Sequence, residues 1–238
     1  MEWLRERPIA HRGLHAPGRP ENSLAAFDAA VAKRYPVELD VRLTEDGVPV
    51  VFHDRTLSRL TDRTEPVDAV SWETIRSLRL DGTDERIPRL EAALESIDGR
   101  VPVLVECKHA GTPGPVESAV IDRLDRYDGP FAVQSFDPRS LAAIRRRRPD
   151  WPRVQLACAF EGRPALPWYQ KAAAKRLLGT WYSRPDVVAY EHNALPYWPV
   201  SLHRRVGIPV LAWTIRDERD RRRVDPYVDN VIFEEIRP

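Results

Sequence analysis

The sequence predicts an α/β fold whose short parallel strands close into a barrel. Three observations carry this prediction. Apolar runs rich in β-branched residues alternate with helical stretches along almost the whole chain, and such alternation argues a mainly parallel sheet with crossover helices. Eight or nine of these runs succeed one another without a long gap, which favours closure over an open sheet. The length, 238 residues, suits an eight-stranded α/β barrel, which takes about 200–250 residues. A single domain over residues 1–238 is therefore expected.

Strands are predicted at 8–11, 37–41, 48–52, 101–106, 131–134, 153–157, 187–190, 209–213 and 228–233. Helices are predicted at 23–33, 72–78, 90–97, 116–126, 139–147, 167–178, 201–206 and 218–223. In the strand at 37–41, Val37, Leu39 and Val41 point one way while Glu38 and Asp40 point the other, since side chains alternate along a strand. The turn Glu45-Asp46-Gly47 leads into the strand at 48–52. Asp137 before Pro138 marks a helix start, an N-cap followed by proline in the first turn, and Asp217 is a second cap candidate. The run Arg145–Arg148 falls at a helix C-terminus, where cations suit the dipole. Residues 55–88 hold a short helix and polar turns, and are expected to form a small insertion between the second and third barrel strands.

Composition narrows the function. A formal net charge of +1 gives no bulk electrostatic case for nucleic acid. Residues 1–8 lack an apolar signal core, and no apolar run approaches the ~20 residues of a membrane span. A cytoplasmic protein without a stable membrane span is expected. Cys107 and Cys158, the only cysteines, are expected to be buried thiols rather than a disulfide. Lys108 is one of four lysines and stands beside Glu106 at the end of an apolar run.

In a parallel α/β barrel the functional groups gather at the C-terminal ends of the strands. Those ends carry His11 and Arg12, Glu38 and Asp40, His53 and Asp54, Glu106 and Lys108, Gln134 to Phe136, and Trp213. Glu38, Asp40 and Glu106 offer hard oxygen ligands, which suit Mg²⁺ or Ca²⁺ better than zinc. Arg12 and Lys108 can neutralise a phosphoryl group. His11 and His53 can serve as acid and base near neutral pH. Together these parts describe phosphodiester cleavage. Each also has a plainer reading: a solvated Glu-x-Asp strand face, a Glu106–Lys108 surface pair, an Asp54 that holds a turn and orients His53, and a Trp213 that belongs to the core.

The residues that carry this chemistry lie in a series of motifs: Ile9-Ala10-His11-Arg12-Gly13, Pro20-Glu21-Asn22-Ser23, Glu38-Leu39-Asp40-Val41, Asp46 through His53-Asp54, Ile87-Pro88-Arg89-Leu90-Glu91, Glu106-Cys107-Lys108, Gln134-Ser135-Phe136-Asp137 and Ala212-Trp213-Thr214. In this order the series resembles the glycerophosphodiester phosphodiesterases, over nearly the whole chain. The resemblance implies a TIM (β/α)8 barrel with a small insertion after the His-Asp motif. It implies hydrolysis of a small-molecule glycerophosphodiester to glycerol 3-phosphate and an alcohol, with Mg²⁺ or Ca²⁺ as cofactor. By position, Glu38, Asp40 and Glu106 match the metal ligands, His11 and His53 the acid/base pair, and Arg12 and Lys108 the phosphate contacts. Asn22 matches a polar position near the metal, and Phe136 and Trp213 match aromatic walls of the cleft.

The sequence departs from the family at its end, where Glu234 and Glu235 stand in place of Thr-Asp; altered closure of the last strand is expected, with the chemistry unaffected. Glu161, Arg163, His192 and Arg216 lie on predicted rim loops, where head-group selectivity would reside. Two other functions remain open at this level. A lysophospholipase D acting on lysolipids would favour an apolar lid, whereas residues 55–88 are rich in charge. A non-catalytic phosphate-binding barrel would be expected to have lost a catalytic position, and none is lost.

Overall fold

The computed structural model describes residues 1–109, 111–159 and 167–238. Its strands are β1 (Ile9–Ala10), β2 (Val37–Leu43), β3 (Pro49–Val51), β4 (Val103–Cys107), β5 (Phe131–Ser135), β6 (Arg153–Ala157), β7 (Val187–Glu191), β8 (Val210–Ile215) and β9 (Asn230–Phe233). Each falls on a run read as strand from sequence, with ends displaced by at most two residues. Strand order and helix alternation are those of the TIM (β/α)8 class, with β3 as an antiparallel addition. The chain forms two compact units, Ala10–Phe131 and Met1–Ile9 with Ala132–Pro238.

In the unit Ala10–Phe131, β2 is the organising strand. It pairs in parallel with β4 from Val37↔Val103 to Val41↔Cys107, which sets Asp40 opposite Glu106. Paired residues of a sheet point to the same face, so Glu38, Asp40 and Glu106 share one side. Val37, Leu39 and Val41, on the other side, are completely buried. The second edge of β2 takes Ala10 of β1 at its start and β3 at its end, through Val41↔Val51 and Leu43↔Pro49. The tight turn between β2 and β3 puts Gly47 at φ 76°, a conformation that costs a glycine little. This hairpin runs back along β2, and Phe52 N donates to Asp40 O at 2.9 Å. His53 is thereby delivered beside the carboxylates.

The insertion at 55–88 has a core of its own. Leu57, Val67, Ile75, Leu80 and Ile87 pack with Val50 and Phe52 in one buried cluster, while its many charges stay outside. The helix expected at 72–78 spans only Trp72–Ile75. Ser77 N and Leu78 N then bond three residues back, to Thr74 O and Ile75 O, in a tightened final turn.

In the other unit, β5 to β9 are each parallel to the next. Both predicted caps form: Asp137 accepts from Arg139 N at 2.8 Å, and Asp217 accepts from Asp220 N at 2.7 Å. The stretch 167–178 divides into helices Trp168–Lys175 and Thr180–Ser183. Leu177 between them adopts φ 59°, which no continuing helix allows. A short helix at Trp3–Glu6, with no signal in the sequence, is held where Asn230 Nδ2 donates to Leu4 O and Arg7 O at 3.0 and 2.6 Å. Cys107 and Cys158 are buried, as expected.

Candidate active site

Three carboxylates converge at the end of the β2–β4 ladder. One oxygen from each of Glu38, Asp40 and Glu106 lies within 4.8 Å of the others, and all three residues are buried. Burying three like charges without compensation would be prohibitive. Two largely covered cations, Arg12 and Lys108, provide it. Lys108 Nζ lies 2.7 Å from Glu106 Oε1 and 3.2 Å from Asp40 Oδ1, and Arg12 Nε lies 3.3 Å from Asp40 Oδ2.

Backbone geometry completes the cradle. Arg12 at φ 55° and Gly13 at φ 78° turn the chain sharply after β1, and Arg12 N donates to Glu38 Oε2 at 3.0 Å. Asn22, at φ 57°, grips Asp40 from both ends: its Nδ2 donates to Asp40 Oδ2 at 2.8 Å and its Oδ1 accepts from Asp40 N at 3.3 Å. Asn is among the few residues that tolerate this left-handed conformation.

The three acids titrate apart. Burial pushes Glu38 well above the usual carboxylate range, and repulsion from Asp40 and Glu106 adds to it. Burial would also raise Asp40, but Lys108, His53 and Arg12 outweigh it and hold Asp40 far below that range. Burial raises Glu106, against the opposing pull of Lys108. The site therefore keeps one carboxylate firmly ionised while two resist ionisation until a further positive charge arrives. Asp40 Oδ1 is buried and accepts no well-formed hydrogen bond. A donor set of three carboxylates with spare lone pairs fits a hard divalent cation.

Two imidazoles flank this cluster. His11, the first residue after β1, places Nε2 3.9 Å from Glu38 Oε2. His53 places Nδ1 2.6 Å from Asp54 Oδ1, and Arg42 Nε holds the His53 carbonyl at 2.9 Å. Burial, with Lys108 and Arg12 nearby, lowers the His53 pKa to about 4 despite Asp40. Asp54 resists burial through its bonds from Arg59 and His53 and falls to about 2. An ionised Asp54 can only accept, so Nδ1 of the neutral His53 carries the proton and Nε2 keeps its lone pair.

Sequence reasoning kept Asp54 as a turn holder that orients His53, and the structure gives it the orienting bond. It missed what lies behind. Arg59 Nε donates to Asp54 Oδ2 at 2.5 Å, while its two terminal nitrogens donate to Glu21 at 3.0 and 2.7 Å. Glu21 Oε1 also accepts from Arg12 Nη1 at 2.8 Å, and despite its burial Arg59 and Arg12 keep Glu21 below its usual pKa. One continuous network thus runs His53–Asp54–Arg59–Glu21–Arg12–Asp40.

Of the ten residues singled out from sequence, His11, Arg12, Asn22, Glu38, Asp40, His53, Glu106 and Lys108 all belong to the unit Ala10–Phe131. Phe136 and Trp213 belong to the other, where their rings meet edge to face at 5.5 Å. Glu161 and Arg163 lie outside the described residues. His192 is buried with its Nδ1 3.0 Å from Arg223 Nη2, and Arg216 pairs with Glu234 at 2.8 Å.

The sequence profile of the Glycerophosphoryl diester phosphodiesterase family matches residues 11–237. The chain belongs to this family. It is 31% identical to Probable glycerophosphodiester phosphodiesterase 2 of Mycobacterium tuberculosis, over 98% of this chain and 89% of that protein. It is 40% identical to human glycerophosphodiester phosphodiesterase 1 over a shorter stretch, 42% of this chain and 33% of that protein. Among solved structures, an Oleispira antarctica phosphodiesterase in complex with its product sn-glycerol-3-phosphate superposes with a TM-score of 0.82 at 26% identity, covering 97% of this chain and 93% of that one. A glycerophosphodiester phosphodiesterase from Agrobacterium tumefaciens shares the fold at a TM-score of 0.73 and 23% identity, over 96% of each chain. As a family member the chain is a phosphoric diester hydrolase.

Proposed function

We propose that the chain, acting as one domain over residues 1–238, hydrolyses small glycerophosphodiesters to glycerol 3-phosphate and an alcohol, with Mg²⁺ or Ca²⁺ bound by Glu38, Asp40 and Glu106. The observation that carries this reading is the convergence of three buried carboxylates with two largely covered cations and two imidazoles. A divalent ion there supplies Lewis-acid polarisation of a phosphoryl oxygen and neutralises developing charge. Arg12 and Lys108 hold the remaining phosphate oxygens, Arg12 by its fork and Lys108 as a point charge. His53, with Nδ1–H committed to Asp54, takes the proton of the attacking hydroxyl at Nε2. That hydroxyl belongs to water, or to the glycerol's own neighbouring position, in which case a cyclic phosphate forms first and water then opens it to glycerol 3-phosphate. His11 returns a proton to the departing alkoxide. Asn22 orients Asp40, and the Phe136–Trp213 pair is proposed as the apolar surface met by substrate.

The test is release of glycerol 3-phosphate from glycerophosphocholine, glycerophosphoethanolamine and glycerophosphoglycerol, with Mg²⁺, with Ca²⁺ and after chelation. Turnover should vanish on chelation and in Glu38→Ala. His11→Ala and His53→Ala should each lower kcat by roughly 10²–10⁴, the usual worth of general acid–base catalysis. Near-normal kcat in both histidine variants would sink the assignment. Turnover of lysolipids in detergent, without turnover of the soluble diesters, would shift the substrate to lysolipids.

A further inference from the structure

The exposed apolar surface of this chain is concentrated in one stretch. Of ten large hydrophobic side chains exposed among the described residues, eight lie between positions 168 and 206. Three are tryptophans, and their exposure is extreme: Trp168 80%, Trp181 77% and Trp198 67%. Leu178, Leu202 and Val206 are at least half exposed as well. Isolated exposed apolar residues are ordinary, whereas a contiguous group marks an interaction surface.

The helices that carry most of these residues are tied to one another at two points. Six of the eight sit on the helices Trp168–Lys175, Thr180–Ser183 and Trp198–Arg205, while Leu178 lies between the first two and Val206 directly follows the third. Thr180 Oγ1 lies 3.1 Å from His203 Nε2, joining the second helix to the third. The Lys175 ammonium sits 5.9 Å above the Tyr197 ring, joining the end of the first helix to the start of the third.

Charge selects the occupant. The chain holds 36 acidic residues in all, yet none lies in 167–185 or in 192–206. The same segments carry Lys171, Arg176, Arg184 and Arg205 beside the tryptophans. We propose that this face docks reversibly on an anionic lipid surface. Tryptophan, with an apolar ring and one N–H, favours the boundary between headgroups and acyl chains. Lysine and arginine lay their stems on apolar surface while their heads meet lipid phosphates. A second copy of the chain is the poorer occupant, because a two-fold contact through this face would set cations against cations. The aliphatic residues argue against single-stranded nucleic acid, which binds through stacking on aromatic rings.

Flotation with vesicles of phosphatidylcholine alone, and of phosphatidylcholine mixed with phosphatidylglycerol, tests the proposal. The wild type should float with the anionic vesicles only, its tryptophan emission should shift to the blue, and salt should weaken binding. The combined Trp168→Ala, Trp181→Ala, Trp198→Ala variant should bind about tenfold more weakly or worse, and so should Arg176→Glu with Arg205→Glu. Both variants should hydrolyse a soluble glycerophosphodiester at the wild-type rate, which shows that they fold. No flotation of the wild type would overturn the proposal. So would equal flotation of both variants, or a wild-type dimer that the tryptophan variant converts to a monomer.

Discussion

Asp54→Ala tests the orientation of His53 as the proposed base. The bond from His53 Nδ1 to Asp54 Oδ1 is 2.6 Å long, and it gains a full positive partner once Nε2 takes a proton. A hydrogen bond to a charged group contributes about 1.5–3 kcal/mol. At 1.36 kcal/mol per decade of rate, its loss should lower kcat by roughly 10- to 100-fold. The loss should fall on kcat, because Arg59 keeps both of its bonds to Glu21 and Glu21 keeps Arg12 in place. KM should then change by less than about threefold. Asp54→Asn leaves an acceptor without the charge and should fall between wild type and Asp54→Ala. Initial rates of glycerol 3-phosphate release, on variants with an unchanged melting temperature, are the assay. A kcat within about twofold of wild type would refute the orienting role, and a loss carried by KM would place Asp54 in substrate binding instead.

Three further outcomes are expected. Burial sets the His53 pKa at about 4, below its unfolded value near 6.5; the folded protein thus binds fewer protons, and the metal-free enzyme should lose stability as pH falls from about 6.5 to about 4. His53→Asn should flatten that slope in thermal melts. Glu38→Gln removes one of three mutually repelling carboxylates while its amide oxygen can still accept from Arg12 N; it should melt no lower than wild type without metal and should lack the rise in Tm expected of the wild type with Mg²⁺ or Ca²⁺. Gly13→Ala should destabilise by about 1–3 kcal/mol, because φ is 78° and a Cβ would lie 2.9 Å from Ala26 and Phe27 atoms; a Tm within a degree of wild type would show that this close approach relaxes freely.

The chemistry was legible where it rides on period and register. The alternation in Val37-Glu38-Leu39-Asp40-Val41 fixes which side chains share a face, and the same rule at Val105-Glu106-Cys107 makes the convergence foreseeable once two strands are neighbours. Arg59 and Glu21 were not legible as a pair. They stand 38 positions apart, neither obeys a period, and an exposed arginine in a charged insertion looks like solvated surface. Helix 72–78 was overextended because apolar spacing continues through Leu78, although the local bonds tighten at Ser77. Leu177 likewise broke a predicted helix at a place where only the backbone dihedral tells.

The ladder between β2 and β4 has a consequence for how such a protein can diverge. Main-chain hydrogen bonds set the spacing of Asp40 and Glu106, and those bonds form whatever side chains surround them. Helices and loops can therefore drift far in sequence while the gap between the carboxylates stays constant. A one-residue slip, by contrast, would turn Glu38 and Asp40 into the apolar layer and bring Leu39 out in their place. Folding in the wrong register and losing the carboxylate cluster would be a single event, so a lineage that keeps this register and these three residues keeps the spacing of the carboxylates.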